Sequence, residues 1–370
     1  MNILLQYINI NMFKSILSYF FFIPKFFPYI KNKKKIRPYF GLPKRNYGGP
    51  NIRTKKMIES FGNYLFSPNI IYAQSWWEEK ELKDALQFSK KHNIPIVFNQ
   101  NGWFYKAWYK KNWRKRNQTL IKIHKASKKV IYQSKFCKSA SYKLTNYINK
   151  NNSIIYNPSL IRTNKQTKKI LNKNNKFNII VTGVFGEESR HILLPILKSI
   201  DYLDKKNLSS LIFKVNIYGV IKENMKKSNW FSEYKKLYDK LSNKGLAFYN
   251  GSYDHKNLHN ILKNVNLAIH IKYKDPCPNA VIEKLQYGIP HVYSKSGGTP
   301  ELIGNSGLSI SVKDVWDKMV EVNYKSLSKK IVKISNNYKI YNFNALKQGK
   351  KFSYLYYVLK HKKIFKRLIR

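Results

Sequence analysis

The sequence predicts an α/β chain of two doubly wound halves, each a parallel sheet covered by helices, with the halves facing a cleft. Three observations carry that expectation. Short apolar runs alternate with longer amphipathic ones on both sides of the chain's middle. A polar, Lys/Asn-rich stretch at residues 163–176 separates the two series. The chain has 370 residues with 43% hydrophobic content, enough for two cores of ordinary size. Strand–helix alternation implies parallel strands, because a parallel crossover needs a helix that also covers the sheet.

Residues 69–74 read as the first clear strand. Residues 78–92 have helical spacing, with Leu82, Ala85, Leu86 and Ser89 on one face. Strands follow at 94–100, 129–134 and 153–156, with a helix near 139–148 between the last two. The stretch 163–176 is the linker and the expected hinge. Beyond it, strands are expected at 178–182, 214–218, 247–249, 267–271, 291–293 and 308–311. Helices are expected at 189–203, 256–265 and 280–287. The tail, 350–370, reads as a basic helix. The domain limits that follow are an apolar segment 1–31, a first domain 32–165, a second domain 166–345, and a C-terminal basic helix 346–370 packing back on the first domain. Ligands of such sheets bind outside the carboxyl ends of the strands.

Lys and Arg total 70 against 19 Asp and Glu, a formal charge of +51. Base-composition bias accounts for part of this, since Asn, Ile and Tyr are also abundant. Two readings stay open: a solvated surface, or attraction to an anionic membrane face. A nucleic-acid partner is not expected, because no zinc finger, RNP motif or KH-type loop is present. The first 31 residues are apolar (Ile3, Leu4, Leu5, Phe13, Ile16, Leu17), but Pro24 and Lys25 interrupt them before a span's length is reached. They also lack the basic start of a secretion signal. With the basic run 31–37 they form a two-signal interfacial anchor, or else a strand and helix of the first domain. The two cysteines, Cys137 and Cys277, make neither a disulfide framework nor a metal site. The expected location is the cytoplasm, peripheral to the inner face of the membrane.

The stretch richest in chemistry is DPCPNAVIEKLQYGIPHVYSKSGGTPELIG, residues 275–304. Asp275 and Glu283 lie eight positions apart. Pro276 and Pro278 keep the first part extended, Asn279 suits an N-cap and Gly288 suits C′. Asp275 then sits at a helix mouth and Glu283 within the helix, where both can accept hydrogen bonds from hydroxyls of one ligand. A capping Asp beside a solvated helical Glu is the plain structural alternative. In the next loop, residues 296–301, Thr299 can cap and Pro300 suits the first helical position. Gly297 and Gly298 let backbone N–H groups approach an anion.

These residues resemble the donor-binding domain of the retaining glycosyltransferases of family 4, which have the GT-B architecture of two Rossmann-like domains. The carriers are the Asp275/Glu283 pair, then YGIPHV, then GGTPE. The resemblance extends back through VFNQNGWFYKAWYKKNW, VIYQSKFCKSA, IIYNP and the Gly48-Gly49-Pro50 loop, covering about residues 45–310. It implies that Glu283 binds the donor ribose and Asp275 contacts the transferred sugar. Asn279 and Ala280 would lie near that sugar, and Gly48 and Gly49 near the pyrophosphate. Arg190 would clamp the diphosphate, its planar fork suiting phosphate oxygens, with His191 or Lys272 as the second cation. Gly297, Gly298 and Thr299 complete the donor side. The catalytic set is then Asp275, Glu283 and Arg190.

Two departures stand out: Asp275 replaces the family's usual Glu, and the loop 99–102 lacks its usual His. Tyr287 replaces a small residue, a packing change. Asn101, Trp103 and Tyr105 are the expected acceptor contacts, since aromatic faces stack on sugar rings, though core packing serves them as well. His124 reads as a surface helix histidine.

The resemblance implies a metal-independent hexosyltransferase, working with retention on a nucleotide-sugar donor and a saccharide or lipid-linked acceptor. No Asp-x-Asp motif argues for a metal, and no cofactor is expected, because the nucleotide-sugar is a substrate. Polysaccharide or lipopolysaccharide biosynthesis is the expected setting. A nucleotide-sugar epimerase of the same fold, a non-catalytic nucleic-acid or polyanion binder, and an inactive homologue are the alternatives.

Overall fold

The computed structural model describes residues 35–43, 49–109, 111–160, 176–254 and 257–369. The apolar segment 1–31, Gly48 and all but the last residue of the expected linker lie outside the described residues. The chain forms two compact units. One holds residues up to Phe104, Asn112–Ile155 and Leu355 onward; the other holds Tyr105–Lys111 and Tyr156–Tyr354.

The first unit is built on a five-stranded parallel sheet in the order β1-β2-β3-β4-β5: Pro38–Tyr39, Ile70–Gln74, Ile96–Gln100, Lys129–Tyr132 and Asn152–Ile154. The middle strands β2 and β3 are buried on both faces, so they read as continuous apolar runs rather than alternating ones. Helices α1 (Gly49–Phe61), α2 (Glu79–His92), α3 (Trp113–Ala126) and α4 (Lys135–Thr145) supply the crossovers. On α2 the inward stripe is Leu82, Ala85 and Phe88, with a capping box between Glu78 and Glu81. Strand β4 stops at Tyr132, short of the expected 134, because Ser134 caps α4 by accepting from the Cys137 N–H at 3.0 Å.

His124 is a correction to the sequence reading. It faces the core rather than solvent, fully buried, with Nε2 2.8 Å from the Tyr132 hydroxyl and edge-on rings from Trp103 and Tyr147 around it. Burial drives its pKa down to about 4.

A last helix, α13 (Tyr354–Leu368), also folds onto this unit. Phe365 packs edge-on against Tyr72 and Phe61. His361 lies 3.0 Å from the Tyr72 hydroxyl and is buried, with its pKa lowered to about 4 by that burial.

The second unit carries six parallel strands in the order β11-β10-β9-β6-β7-β8. They are β6 (Lys176–Phe185), β7 (Ile212–Ile221), β8 (Ala247–Tyr249), β9 (Leu267–His270), β10 (His291–Ser294) and β11 (Gly307–Ile310). Strands β6 and β7 are ten residues each, longer than expected, and pair along their whole length. They approach so closely at Gly219 (φ +139°) that a Cβ there would lie 1.7 Å from the Gly183 carbonyl oxygen.

The helices are α5 (Arg190–Lys206), α6 (Glu223–Lys226), α7 (Phe231–Asn243), α8 (Leu258–Leu262), α9 (Asn279–Gln286), α10 (Thr299–Ile303), α11 (Tyr324–Asn336) and α12 (Tyr338–Gly349). Helices α7, α11 and α12 have no counterpart in the sequence reading. On the α5 side Leu193, Ile196 and Leu197 bury against β6 and β7 and against Leu327 and Ile331 of α11. Among the described residues no helix is long and apolar enough to cross a membrane.

Candidate functional site

Strand order in the second unit reverses between β6 and β9, since β7 and β8 extend one way and β10 and β11 the other. Such a switch point leaves a crevice at the carboxyl ends of the strands. A cavity of about 470 Å³ occupies this place. Its walls are the end of β6 (Thr182 to Phe185), the start of α5 (Glu188, Ser189, His191), the turn after β9 (His270 to Tyr273, Asp275) and the first residues of α9 (Asn279, Ala280). Lys222, Trp108 and Met319 close the rim.

Asp275 is the best-held charge in it. Its carboxylate lies 3.4 Å from Lys272 Nζ and 3.7 Å from His270 Nε2. Burial works to raise its pKa, but the Lys272 charge and the His270 contact outweigh burial and hold the carboxyl well below its ordinary range. His270 is itself lowered by burial, with Asp275 pulling the other way. His191 donates from Nδ1 to the Glu188 carbonyl (2.6 Å), leaves Nε2 without a partner, and is lowered to about 4, chiefly by burial. Behind the wall lies Lys284, buried, with its ammonium donating to Thr182 Oγ1 at 2.8 Å and to the Ala280 carbonyl at 3.1 Å. Burial lowers its pKa to about 8, and Glu283 opposes that.

Of the residues expected at the donor side, Asp275, Lys272, Asn279, Ala280 and His191 line this cavity. Glu283 does not. It is buried inside α9 beside Tyr253 and Tyr287, whose hydroxyls are raised by burial and then by its charge. Arg190 is a correction: its guanidinium is held by Glu321 and lies 3.7 Å from Glu233, outside the cavity lining. The cations that do face the cavity are Lys272, 59% exposed, and Lys222.

The Gly297–Gly298 loop is a second correction. The Gly298 N–H donates to the Asp275 carbonyl at 2.8 Å, so it is engaged within the protein. Gly297 (φ +67°) packs so tightly on the same backbone that a Cβ would lie 2.3 Å from the Asp275 oxygen. The glycines hold the Asp275 turn in place instead of cradling an anion, and Thr299 Oγ1 is buried without a partner.

Asn279 does not cap α9; Pro278 stands at that position, and the Asn279 amide oxygen accepts from Asn157 Nδ2 at 2.8 Å. Gly288 has the left-handed φ of +68° expected just past the helix end. Tyr287 packs on His259, its hydroxyl 3.2 Å from the ring nitrogen.

In the first unit Gly49 begins α1. Trp103 is buried and donates from Nε1 to Ser141 Oγ at 2.7 Å, a packing role instead of a platform. Tyr105, in the second unit, is buried edge-on against Trp316 at 5.0 Å, so it too corrects the platform expectation. Trp108, also in the second unit, is 46% exposed. The Asn101 N–H donates to Ser75 Oγ at 2.8 Å, and its amide, with oxygen toward Arg53, accepts from Arg53 Nη2 at 2.8 Å.

Around Asn101 the carboxyl edge of the first sheet is lined by buried amides that the sequence reading passed over. Gln133 Nε2 donates to Asn99 Oδ1 at 3.0 Å, Gln74 Nε2 to Thr54 Oγ1 at 2.9 Å, and Gln100 Nε2 is buried with no partner. Their signal was readable: an amide closes each of three apolar runs, at Gln74, at Gln100 and at Gln133. Among the described residues no group of three His, Cys, Asp or Glu side chains gathers as for a metal ion.

The family model described as "Glycosyl transferases group 1" matches residues 163–352. No curated protein matches the chain in sequence. Solved structures match across both units. HepE from Anabaena in complex with UDP superposes with a TM-score of 0.61 at 12% identity, covering 85% of this chain and 80% of its own. Sucrose-phosphate synthase from Thermosynechococcus elongatus does so at 0.63 and 14%, covering 92% and 80%. The lipopolysaccharide outer core galactosyltransferase WaaB, in its apo form, matches at 0.56 and 13%, covering 85% and 79%. At these identities the likeness is one of fold, and that fold is the GT-B architecture with two parallel α/β sheets.

Proposed function

The chain belongs to the glycosyl transferases group 1 family, and we propose that it moves a hexose from a nucleotide-sugar to a saccharide or lipid-linked acceptor, with retention and without a metal ion. The observation that carries this reading is the switch-point cavity, where Asp275 is fixed between Lys272 and His270 at the mouth of α9.

We place the anionic diphosphate in this cavity because Lys272, Lys222 and the first turn of α9 line it, and cations and helix-start N–H groups favour negative charge. Asp275, kept ionised, accepts a hydroxyl of the transferred sugar. Glu283, one turn deeper, takes the ribose hydroxyls once Tyr253 and Tyr287 adjust. Trp108 at the rim offers a face to a sugar ring. Departure of the diphosphate and arrival of the acceptor on the same sugar face is the retaining route in this reading. The protein's part is to hold the leaving group, stabilise its growing charge and orient the acceptor.

HepE is a UDP-bound protein of this fold, so uridine donors come first in the test. An acceptor on a lipid carrier, handled at the cytoplasmic face of a membrane during envelope polysaccharide or lipopolysaccharide assembly, suits the +51 charge.

The test is thermal unfolding with nucleoside diphosphates and their sugars on wild type and Glu283→Ala. At 100 times its dissociation constant a ligand adds about 2.7 kcal/mol to stability. One nucleotide family should stabilise the wild type and not the variant. No stabilisation by any of them, with unfolding cleanly measured, would sink the donor assignment. Product analysis without acceptor then separates transfer from epimerisation.

A further inference from the structure

The first unit has a second cavity, of about 330 Å³, between the edge strand β5 and the C-terminal helix α13. Its charged and polar lining is Lys129, Lys360, Lys363, Arg367, Asn151 and Ser153, with no carboxylate. Among the described residues none of those four cations is paired with an acid. Lys129 is held rigidly by donating to Asn151 Oδ1 and to the Asn152 carbonyl, both at 2.9 Å. Burial, then the neighbouring Arg367, makes its charged form costly. A cluster of like charges gathered in a concavity is unfavourable by itself and favourable around an anion.

Cations at the end of a helix do complement its dipole, which explains some of them. It explains neither Lys129, which is on a strand, nor the concave shape. An anion here must also overcome the α13 C-terminal dipole, which takes several cations together.

The same helix says what kind of anion. Upstream of the cavity α13 turns Leu355, Tyr356 and Leu359 to solvent, each more than half exposed. Helical spacing places Leu355 and Leu359 in one stripe with Lys362 and Lys366. Along this stripe the first turns are apolar and the last turns basic, so an apolar surface adjoins a basic one, the pair of features that a lipid interface takes up.

We propose that this cavity binds the phosphate of an anionic lipid headgroup, with Leu355, Tyr356 and Leu359 entering the adjoining apolar layer. The proposal rests on the membrane-side part of the reading above and names the surface that would serve it. It does not depend on the donor site.

The test is co-sedimentation of the full chain with equimolar phosphatidylcholine/phosphatidylglycerol vesicles, and with pure phosphatidylcholine, at physiological salt. Lys363→Ala/Arg367→Ala is compared with Lys235→Ala/Lys236→Ala, which removes the same charge from exposed sites on α7. Circular dichroism and Tm establish that both fold. The wild type and the α7 variant should bind the anionic vesicles, with the cavity variant about 25-fold weaker. Equal weakening in both variants would mean diffuse charge and overturn the cavity assignment alone. No wild-type binding to anionic vesicles would overturn it together with the membrane reading. Stabilisation by inorganic phosphate that the cavity variant loses, with vesicle binding unchanged, would make this a soluble-phosphate site and overturn the lipid assignment. Nucleotide-dependent stabilisation, measured on the same proteins, reports separately on the donor site.

Discussion

The carboxyl edges of the two sheets are made of different chemistry. In the second unit the edge is charged: Asp275, Lys272, Lys222 and Glu188 face one cavity, with Lys284 behind the wall. In the first unit the edge is mostly neutral: Gln74, Asn99, Gln100 and Gln133 are buried amides around a buried cation, Arg53, which donates to Asn101, close to histidines held uncharged. Charges suit an anionic diphosphate, whose field they offset. Amides suit hydroxyls, to which they can both donate and accept without the cost of burying charge. The fold repeats a sheet, and on the proposed function the side-chain chemistry at its edge would divide the labour between a donor half and an acceptor half.

The largest expected effect tests the charged edge. Asp275→Asn keeps the shape and removes the negative charge between Lys272 and His270. Transfer kcat should fall by about a hundredfold or more, as when a preorganised polar contact to the reacting group is lost. A loss under threefold would move the sugar contact elsewhere.

Next comes the neutral histidines. His124, His191 and His361 titrate near 4 in the folded protein, all lowered by burial, and near 6.5 when unfolded. Between those values the unfolded chain binds more protons, so stability falls as pH drops from about 6.5 towards 4, by at most about 3 kcal/mol per histidine. Above about 6.5 this contribution is complete. A Tm that stays flat from pH 7 to 4.5 would break the assignment.

Gly297→Ala comes third. The added methyl meets the Asp275 backbone at a left-handed φ, and the protein should lose about 2–3 kcal/mol of stability by chemical denaturation. An unchanged midpoint would return the loop to anion binding.

The smallest effects sharpen the division itself. Lys272→Ala should weaken nucleoside diphosphate binding about tenfold, the scale of one charge-assisted hydrogen bond, with acceptor KM unmoved. Gln133→Ala should do the reverse, raising acceptor KM about fivefold and leaving the nucleotide alone. Calorimetry and initial rates on both variants would show crossed effects if the division holds, and parallel ones if it does not.

Much of this was legible beforehand because it is local. The alternation of runs named both sheets, and Pro278, Gly288 and Glu283 marked the helix between β9 and β10. The extended Asp275 stretch was readable because Pro276 and Pro278 leave few conformations; that Gly297 and Gly298 pack on it was not, because they follow a strand that intervenes in sequence. Arg190 was misplaced for the opposite reason. At a helix start its side chain can swing to either side, and Glu233 and Glu321, which draw it away, lie on segments distant in sequence. His124 was misread because α3 carries so many lysines and arginines that its inward stripe is short, and only Tyr132 and Trp103 across the packing reveal which face it joins. Trp103 and Tyr105 are aromatic in any reading; their partners Ser141 and Trp316 decide that they are structural.

Local order, then, came from the chain alone: periodicity sets strand and helix, glycine and proline set the turns, and the motif order sets the family resemblance, because each depends on neighbours a few residues apart. Which cations face the cavity, which amides end on the same sheet edge, and that the C-terminal helix lies beside β5 were decided by tertiary packing. Those outcomes depend on side chains brought together from far along the sequence, where burial and charge balance, rather than residue type, choose the partner.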